Sequence, residues 1–155
     1  MQIKEVMTRG VVLIDPECTL QQAGEKMKDL DIGALPVCEN NRAVGMITDR
    51  DIVIRSVAAG HDPHVDTVRD VMTPEIVFCF EDQDLATGIQ FMKQKQVRRL
   101  AVLNGEKQLV GILSLGDLAL NPNCDEVAGM VLKSVSDPIF RANLNPAKEL
   151  IAGER

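Results

Sequence analysis

Ala43-Val44-Gly45-Met46-Ile47-Thr48-Asp49-Arg50-Asp51 returns 66 positions later as Leu109-Val110-Gly111-Ile112-Leu113-Ser114-Leu115-Gly116-Asp117. In both stretches an apolar run passes through a glycine, leaves by a hydroxyl residue and reaches an aspartate three residues on. Upstream, an offset of 65 lays Val6-Met7-Thr8 on Val71-Met72-Thr73, Val12 on Val77 and Leu20 on Leu85. The same offset pairs Met27-Lys28 with Met92-Lys93, Leu35 with Leu100 and Val37 with Val102. The single inserted residue falls between Cys38 and Val44, beside Asn40-Asn41 and Asn104-Gly105. A hairpin loop tolerates such a change in length. The chain is a duplication.

Each copy reads as βαββα. Val11-Val12-Leu13-Ile14 and Ile76-Val77-Phe78-Cys79-Phe80 are β-branched and apolar and predict short buried strands. Thr19 with Gln22 makes a capping box ahead of a helix that places Leu20, Ala23, Met27 and Leu30 on one face. Asp84 caps the matching helix, with Leu85, Ile89 and Met92 inward. Hairpins follow, Leu35–Cys38 with Ala43–Ile47 and Leu100–Leu103 with Leu109–Leu113, and second helices start at Thr48 and Ser114. The helix from Thr48 stops at Gly60. The expected organisation is a first repeat over 1–60, a linker over 61–67, a second repeat over 68–121, and a helix with an extended tail over 122–155.

Bulk properties exclude several classes. The 155 residues carry a net charge of −6, whereas a protein that reads nucleic-acid backbones needs a cationic face. No apolar run reaches the ~20 residues needed to span a bilayer. The N-terminal Met1-Gln2-Ile3-Lys4-Glu5 lacks a signal-peptide core, so the expected location is the cytoplasm, with neither nucleic acid nor membrane as partner. Cys18, Cys38, Cys79 and Cys124 stand far apart and read as reduced, mostly buried thiols. Met7, Met27, Met72 and Met92 occupy equivalent places and read as core. His61-x-x-His64 lies in the linker with only Asp62 and Asp66 nearby, so no metal site is expected. No nucleophile and base arrangement points to catalysis, and the chain is expected not to be an enzyme.

Two βαββα copies, each entered through Val-Met-Thr, resemble the tandem cystathionine-β-synthase (CBS) domain pair, or Bateman module. Ile32-Gly33-Ala34-Leu35-Pro36-Val37 and Gly45-Met46-Ile47-Thr48-Asp49-Arg50-Asp51 carry the likeness in the first copy. Val97-Arg98-Arg99-Leu100-Ala101-Val102 and Gly111-Ile112-Leu113-Ser114-Leu115-Gly116-Asp117 carry it in the second, and the likeness extends to small bacterial CBS proteins of the hypoxic-response type. The resemblance implies an α/β (α+β) fold in which the repeats pack sheet to sheet with pseudo-twofold symmetry, leaving two clefts. It implies a regulatory module that binds an adenine nucleotide, AMP, ADP or ATP, acts on an unknown protein partner and pairs into a homodimer through its second helices. S-adenosylmethionine or NAD is the alternative ligand, and a structural dimerisation module with empty clefts is the alternative class.

By the resemblance, one copy's hairpin strand meets the base while the other copy's Asp takes the ribose hydroxyls. The first cleft then combines Thr48, Arg50 and Asp51 with Ile76, Val77, Arg98, Arg99, Leu100 and Ala101. The second combines Val11, Val12, Gly33, Ala34, Leu35 and Pro36 with Ser114 and Asp117. The residue chemistry is consistent with this. A carboxylate accepts from both vicinal ribose hydroxyls, a helix start offers free N–H groups to phosphate, and glycines at 33, 45 and 111 let a planar base approach. The resemblance also implies that Arg98-Arg99 holds phosphates in the first cleft, where the second has Gly33-Ala34. Thr48-x-x-Asp51 and Ser114-x-x-Asp117 equally suit helix caps that need no ligand.

Overall fold

The computed structural model describes residues 1–137. In chain order the elements are β1 (Thr8–Arg9), α1 (Leu20–Leu30), β2 (Ala34–Glu39), β3 (Arg42–Thr48), α2 (Asp49–Ile52), α3 (Val68–Val71), β4 (Thr73–Pro74), β5 (Phe78–Phe80), α4 (Leu85–Lys95), β6 (Arg99–Leu103), β7 (Leu109–Ser114), α5 (Leu115–Leu120) and α6 (Asp125–Ser136). A 3₁₀ turn occupies Ile3–Glu5, and α2 continues as a π-helix over Val53–Val57.

The helix starts follow their caps. Thr19 Oγ1 accepts from Gln22 N–H at 3.2 Å while Gln22 Oε1 accepts from Thr19 N–H at 2.9 Å, which opens α1. Asp84 accepts from Ala86 N–H at 2.8 Å and opens α4. Both helices end on left-handed residues, Asp31 at φ 52° and Gln96 at φ 54°. The hairpins are antiparallel, with Leu35 opposite Ile47 and Leu100 opposite Leu113. Asn40 and Asn41, both at positive φ, turn the first of them, as the twist of a two-residue hairpin requires.

The entry segments cross between the units. β1 pairs with β7, Thr8 opposite Ile112, and β4 pairs with β3, Thr73 opposite Met46. The sheets are therefore β1-β7-β6-β5 and β2-β3-β4. The cores cross in the same way. Ile3 and Met7 are buried with Leu85, Met92, Leu100, Leu113 and Leu118 of the second unit. Val68 and Val71 are buried with Ile14, Leu20, Leu35 and Ile47 of the first. Full burial of a side chain such as Ile3 contributes about 1.5–3 kcal/mol, so each entry segment is a substantial part of the core it joins.

The strand expected over Val11–Ile14 is reduced to a single parallel bridge, Ile14 to Val37. Proline explains the difference. In the second unit Ala101 N–H donates to Val77 O at 3.0 Å beside β5. Pro36 stands at the equivalent place and has no N–H to offer Val12 O, so the ladder stops there.

α6 packs on α4 and α5 and buries Ala128, Val131 and Val135. Met130 and Leu132 of the same helix are exposed. The tail expected from Asp137 onward lies outside the described residues except for Asp137 itself. No described helix is long and apolar enough to cross a membrane.

Candidate functional site

Two cavities lie between the sheets, one for each copy of the hydroxyl and aspartate motif. The first, of about 310 Å³, is lined by Thr48 and Asp51 from one unit and by Thr73, Glu75, Ile76, Val77, Val97, Arg98 and Arg99 from the segments facing it, with Met46. The second, of about 540 Å³, gathers Thr8, Gly10, Val11, Val12, Gly33, Ala34, Pro36, Ser114 and Asp117, with Leu30, Asp31, Ile32, Met46, Ile112 and Arg99 completing the wall. Both volumes are of the size that holds a small-molecule ligand. A third cavity, of about 570 Å³, lies beside the hairpin turns and is rimmed by Asn40, Asn41 and Gln108. It contains neither motif aspartate.

Most of the residues that the resemblance assigns to each cleft come together. In the first cleft Thr48, Asp51, Ile76, Val77, Arg98 and Arg99 come together. Arg50 is exposed outside it, and Leu100 and Ala101 are fully buried in β6. In the second cleft all the expected residues line the cavity except Leu35, which is fully buried. Strand alternation accounts for the two leucines: Leu35 sits between the cavity residues Ala34 and Pro36, Leu100 follows Arg99, and each points into its own core.

Arg99 is also in the second cleft, contrary to the expectation that the arginines serve only the first. It lies directly opposite Ser114 in the β6–β7 ladder, and cross-strand partners present their side chains on one face. The motif glycines likewise have a different task from the one expected. A Cβ on Gly45 would stand 2.6 Å from Thr73 O, and one on Gly111 would stand 2.7 Å from Thr8 O. They admit the crossing strands β4 and β1. Gly33 is the one that lines a cavity, and a Cβ there would meet Asp49 Oδ2 at 2.9 Å. Thr8, Thr73 and Glu75 were not anticipated as lining residues, because their place depends on the crossing.

The aspartates are both helix caps and cavity groups. Asp51 Oδ2 accepts from Thr48 N–H at 3.0 Å, and Thr48 Oγ1 accepts from Asp51 N–H at 3.1 Å. Asp51 Oδ1 receives no hydrogen bond among the described residues, and its nearest cation, Arg55 Nη2, stands 3.9 Å away. Arg55 is held instead by donating to Val71 O at 2.9 Å and Met72 O at 3.1 Å, which ties the π-helical segment to the crossing chain. Asp117 is more fully engaged. Its Oδ2 accepts from Ser114 N–H at 2.7 Å and Ser114 Oγ at 2.6 Å, and its Oδ1 accepts from Thr8 Oγ1 at 2.7 Å. One cleft thus offers a carboxylate oxygen that accepts no hydrogen bond among the described residues and only a long approach from Arg55, and the other offers one that a hydroxyl already holds.

Arg98 donates to Ser136 Oγ at 3.4 Å, which places the end of α6 beside the first cleft. Arg99 has no ion-pair partner among the described residues. In the linker, His61 Nδ1 lies 2.8 Å from Asp66 and His64 Nδ1 lies 3.0 Å from Asp62. Among the described residues no three His, Cys, Asp or Glu side chains converge as a metal site would need.

The two βαββα units exchange their entry segments and place a motif aspartate in each intersheet cleft. The family model for the CBS domain matches residues 3–57 and 68–121, and the chain belongs to that family. Pairs of CBS domains are in general regulatory, non-catalytic ligand-binding modules. The chain is 40% identical over 134 residues to the CBS domain-containing protein YhcV of Bacillus subtilis, covering 86% of this chain and 94% of that one. It is 38% identical over 117 residues to Hypoxic response protein 1 of Mycobacterium tuberculosis, covering 75% of this chain and 81% of that one. Among solved structures, Hypoxic Response Protein I with two coordinated zinc ions matches with a TM-score of 0.70 at 37% identity, over 77% of this chain and 97% of that one. CBSX2 in complex with AMP shares the fold, with a TM-score of 0.65 at 21% identity, over 85% of this chain and 96% of that one.

Proposed function

We propose that the chain is a regulatory sensor whose intersheet clefts bind adenine nucleotides, AMP, ADP or ATP, and that it passes their occupancy to a protein partner. The observation that carries this is in the first cleft: Asp51 Oδ1, which has only a 3.9 Å ion pair with Arg55 and accepts no hydrogen bond among the described residues, shares a cavity with Arg98 and Arg99 from the opposite unit. A carboxylate fits vicinal ribose hydroxyls, and two guanidinium groups fit phosphate oxygens. Apolar Ile76, Val77 and Met46 offer the wall a purine needs. AMP in the related CBSX2 fold is consistent with this ligand class.

The second cleft is more apolar, lined by Val11, Val12, Leu30, Ile32, Pro36 and Ile112, and its aspartate is engaged by Thr8. That wall favours a less charged adenosyl ligand such as S-adenosylmethionine. The module further pairs with a second copy through α2 and its π-helical continuation, where Val53, Ile54 and Val57 are each more than half exposed, and through α5, where Leu120 is 86% exposed. Sedimentation that shows only monomer across micromolar concentrations refutes the pairing.

Calorimetric titration of AMP against the parent and Asp51→Ala, with a melting curve on each, tests the nucleotide reading. Loss of charge-assisted bonds worth about 1.5–3 kcal/mol each lowers affinity at least tenfold. If Asp51→Ala melts lower yet binds AMP as well as the parent, Asp51 is a cap and the ribose assignment fails. Adenosine, S-adenosylmethionine and NAD titrated alongside separate the ligand classes.

A further inference from the structure

We propose that Arg99 is a single phosphate anchor contested by both clefts, so that a phosphorylated ligand in one weakens binding of the next in the other. This rests on the adenine-nucleotide reading and adds to it a coupling between the sites. Arg99 and Met46 are the residues that line both cavities, so the clefts share a wall. The cause is local: Arg99 opens β6, next to Arg98 at the first cleft, and its ladder partner is Ser114 of the second. No carboxylate among the described residues pairs with its guanidinium, which leaves it available to an anion from either side.

One guanidinium cannot give its paired N–H groups to two phosphates with the geometry that makes such bonds strong. The first cleft also contains Arg98, so it captures Arg99 when both compete. The second cleft is then left with no arginine and faces a like charge across the shared wall. The coupling is a property of the pair of sites, and any second-site weakening must reappear as strengthening when the first site is disabled.

The test is AMP calorimetry on the parent, Asp51→Asn, Arg99→Ala and the double variant, with melting curves to establish folding. Asp51→Asn keeps an oxygen that can accept the Thr48 N–H bond, so the cap survives. In the parent, the first AMP should bind tightly and the second at least about tenfold more weakly. In Asp51→Asn the tight step should vanish, and the remaining site should bind about tenfold tighter than the parent's second step. With Arg99→Ala present, Asp51→Asn should leave that remaining site unchanged. A remaining site in Asp51→Asn no tighter than the parent's second step overturns the coupling and leaves the nucleotide reading standing. No AMP binding by the folded parent at any step overturns both.

Discussion

Asp117→Ala and Asp51→Ala remove the same side chain from two copies of one motif, yet they should differ in stability. Either loses the cap bond to the hydroxyl residue's N–H, at a cost of about 1 kcal/mol. Asp51→Ala loses beyond this only the 3.9 Å approach of Arg55, worth about 0.3–0.5 kcal/mol for such a pair. Asp117→Ala loses two further hydroxyl bonds, from Ser114 Oγ at 2.6 Å and Thr8 Oγ1 at 2.7 Å. Bonds to a charged acceptor are worth about 1.5–3 kcal/mol each, and water at exposed Thr8 and half-buried Ser114 brings the pair down to about 2 kcal/mol together. The difference between the variants is then about 1.5 kcal/mol, which lowers Tm by about 3–6 °C more for Asp117→Ala. The chain has neither Trp nor Tyr, so far-ultraviolet circular dichroism is the suitable probe. Thr8→Val should lower Tm in the parent and add little in the Asp117→Ala background, because the bond it removes is already gone. Equal melting temperatures for the two alanine variants, or a lower one for Asp51→Ala, refute this account of the motif.

Ser56 is fully buried and its hydroxyl has no hydrogen-bond partner among the described residues, so Ser56→Ala should raise Tm by about 2–4 °C, and a fall in Tm shows that the hydroxyl is bonded after all. Pro36→Ala supplies the N–H that the first unit's ladder lacks. The new bond, about 0.5–1.5 kcal/mol, is offset by about 0.4–1 kcal/mol from the freer unfolded chain, so stability should hardly move while the residue 36 amide becomes protected from hydrogen exchange. An unprotected amide there means that proline is not what ends the strand. Burial pushes the Cys79 thiol up to about 11 from an ordinary 9.0. The folded state keeps a proton that the unfolded chain releases, so this contribution is complete below about pH 9 and is lost as pH rises towards about 11. Denaturant midpoints at about pH 8 and about pH 10.5 should fall further for the parent than for Cys79→Ala, and equal falls contradict the shift.

The duplication, the hairpins and the caps at Thr19 and Asp84 were legible in the sequence because each depends on residues close together in the chain. The clefts were legible through the resemblance to the CBS domain pair, which implied that Asp51 meets Arg98 and Asp117 meets Pro36 across the two copies. The crossing of the entry segments was not. Val-Met-Thr has the same pattern whichever sheet receives it, and only the close approach of Thr73 O to Gly45 and of Thr8 O to Gly111 reveals the partner. Thr8, Thr73 and Glu75 were missed for that reason. The double placement of Arg99 depends on how the two sheets face each other, a relation with no signature at any fixed spacing. Leu35, Leu100 and Ala101 were assigned to the clefts as parts of a motif, although the alternation of a strand already turns the two leucines inward.

The crossing also orders events as the chain is made. The first unit's core lacks Val68 and Val71 until the linker and the segment after it have been synthesised. Ile3 and Met7 must wait for Leu100, Leu113 and Leu118, and Thr8 waits for Asp117. Neither half can complete itself as it leaves the ribosome, and closing pairs so distant in sequence is slow compared with forming the helices and hairpins between them. The segment that carries Ile3 and Met7 is therefore held open until the second unit has been made, and its arrival there completes that unit's core.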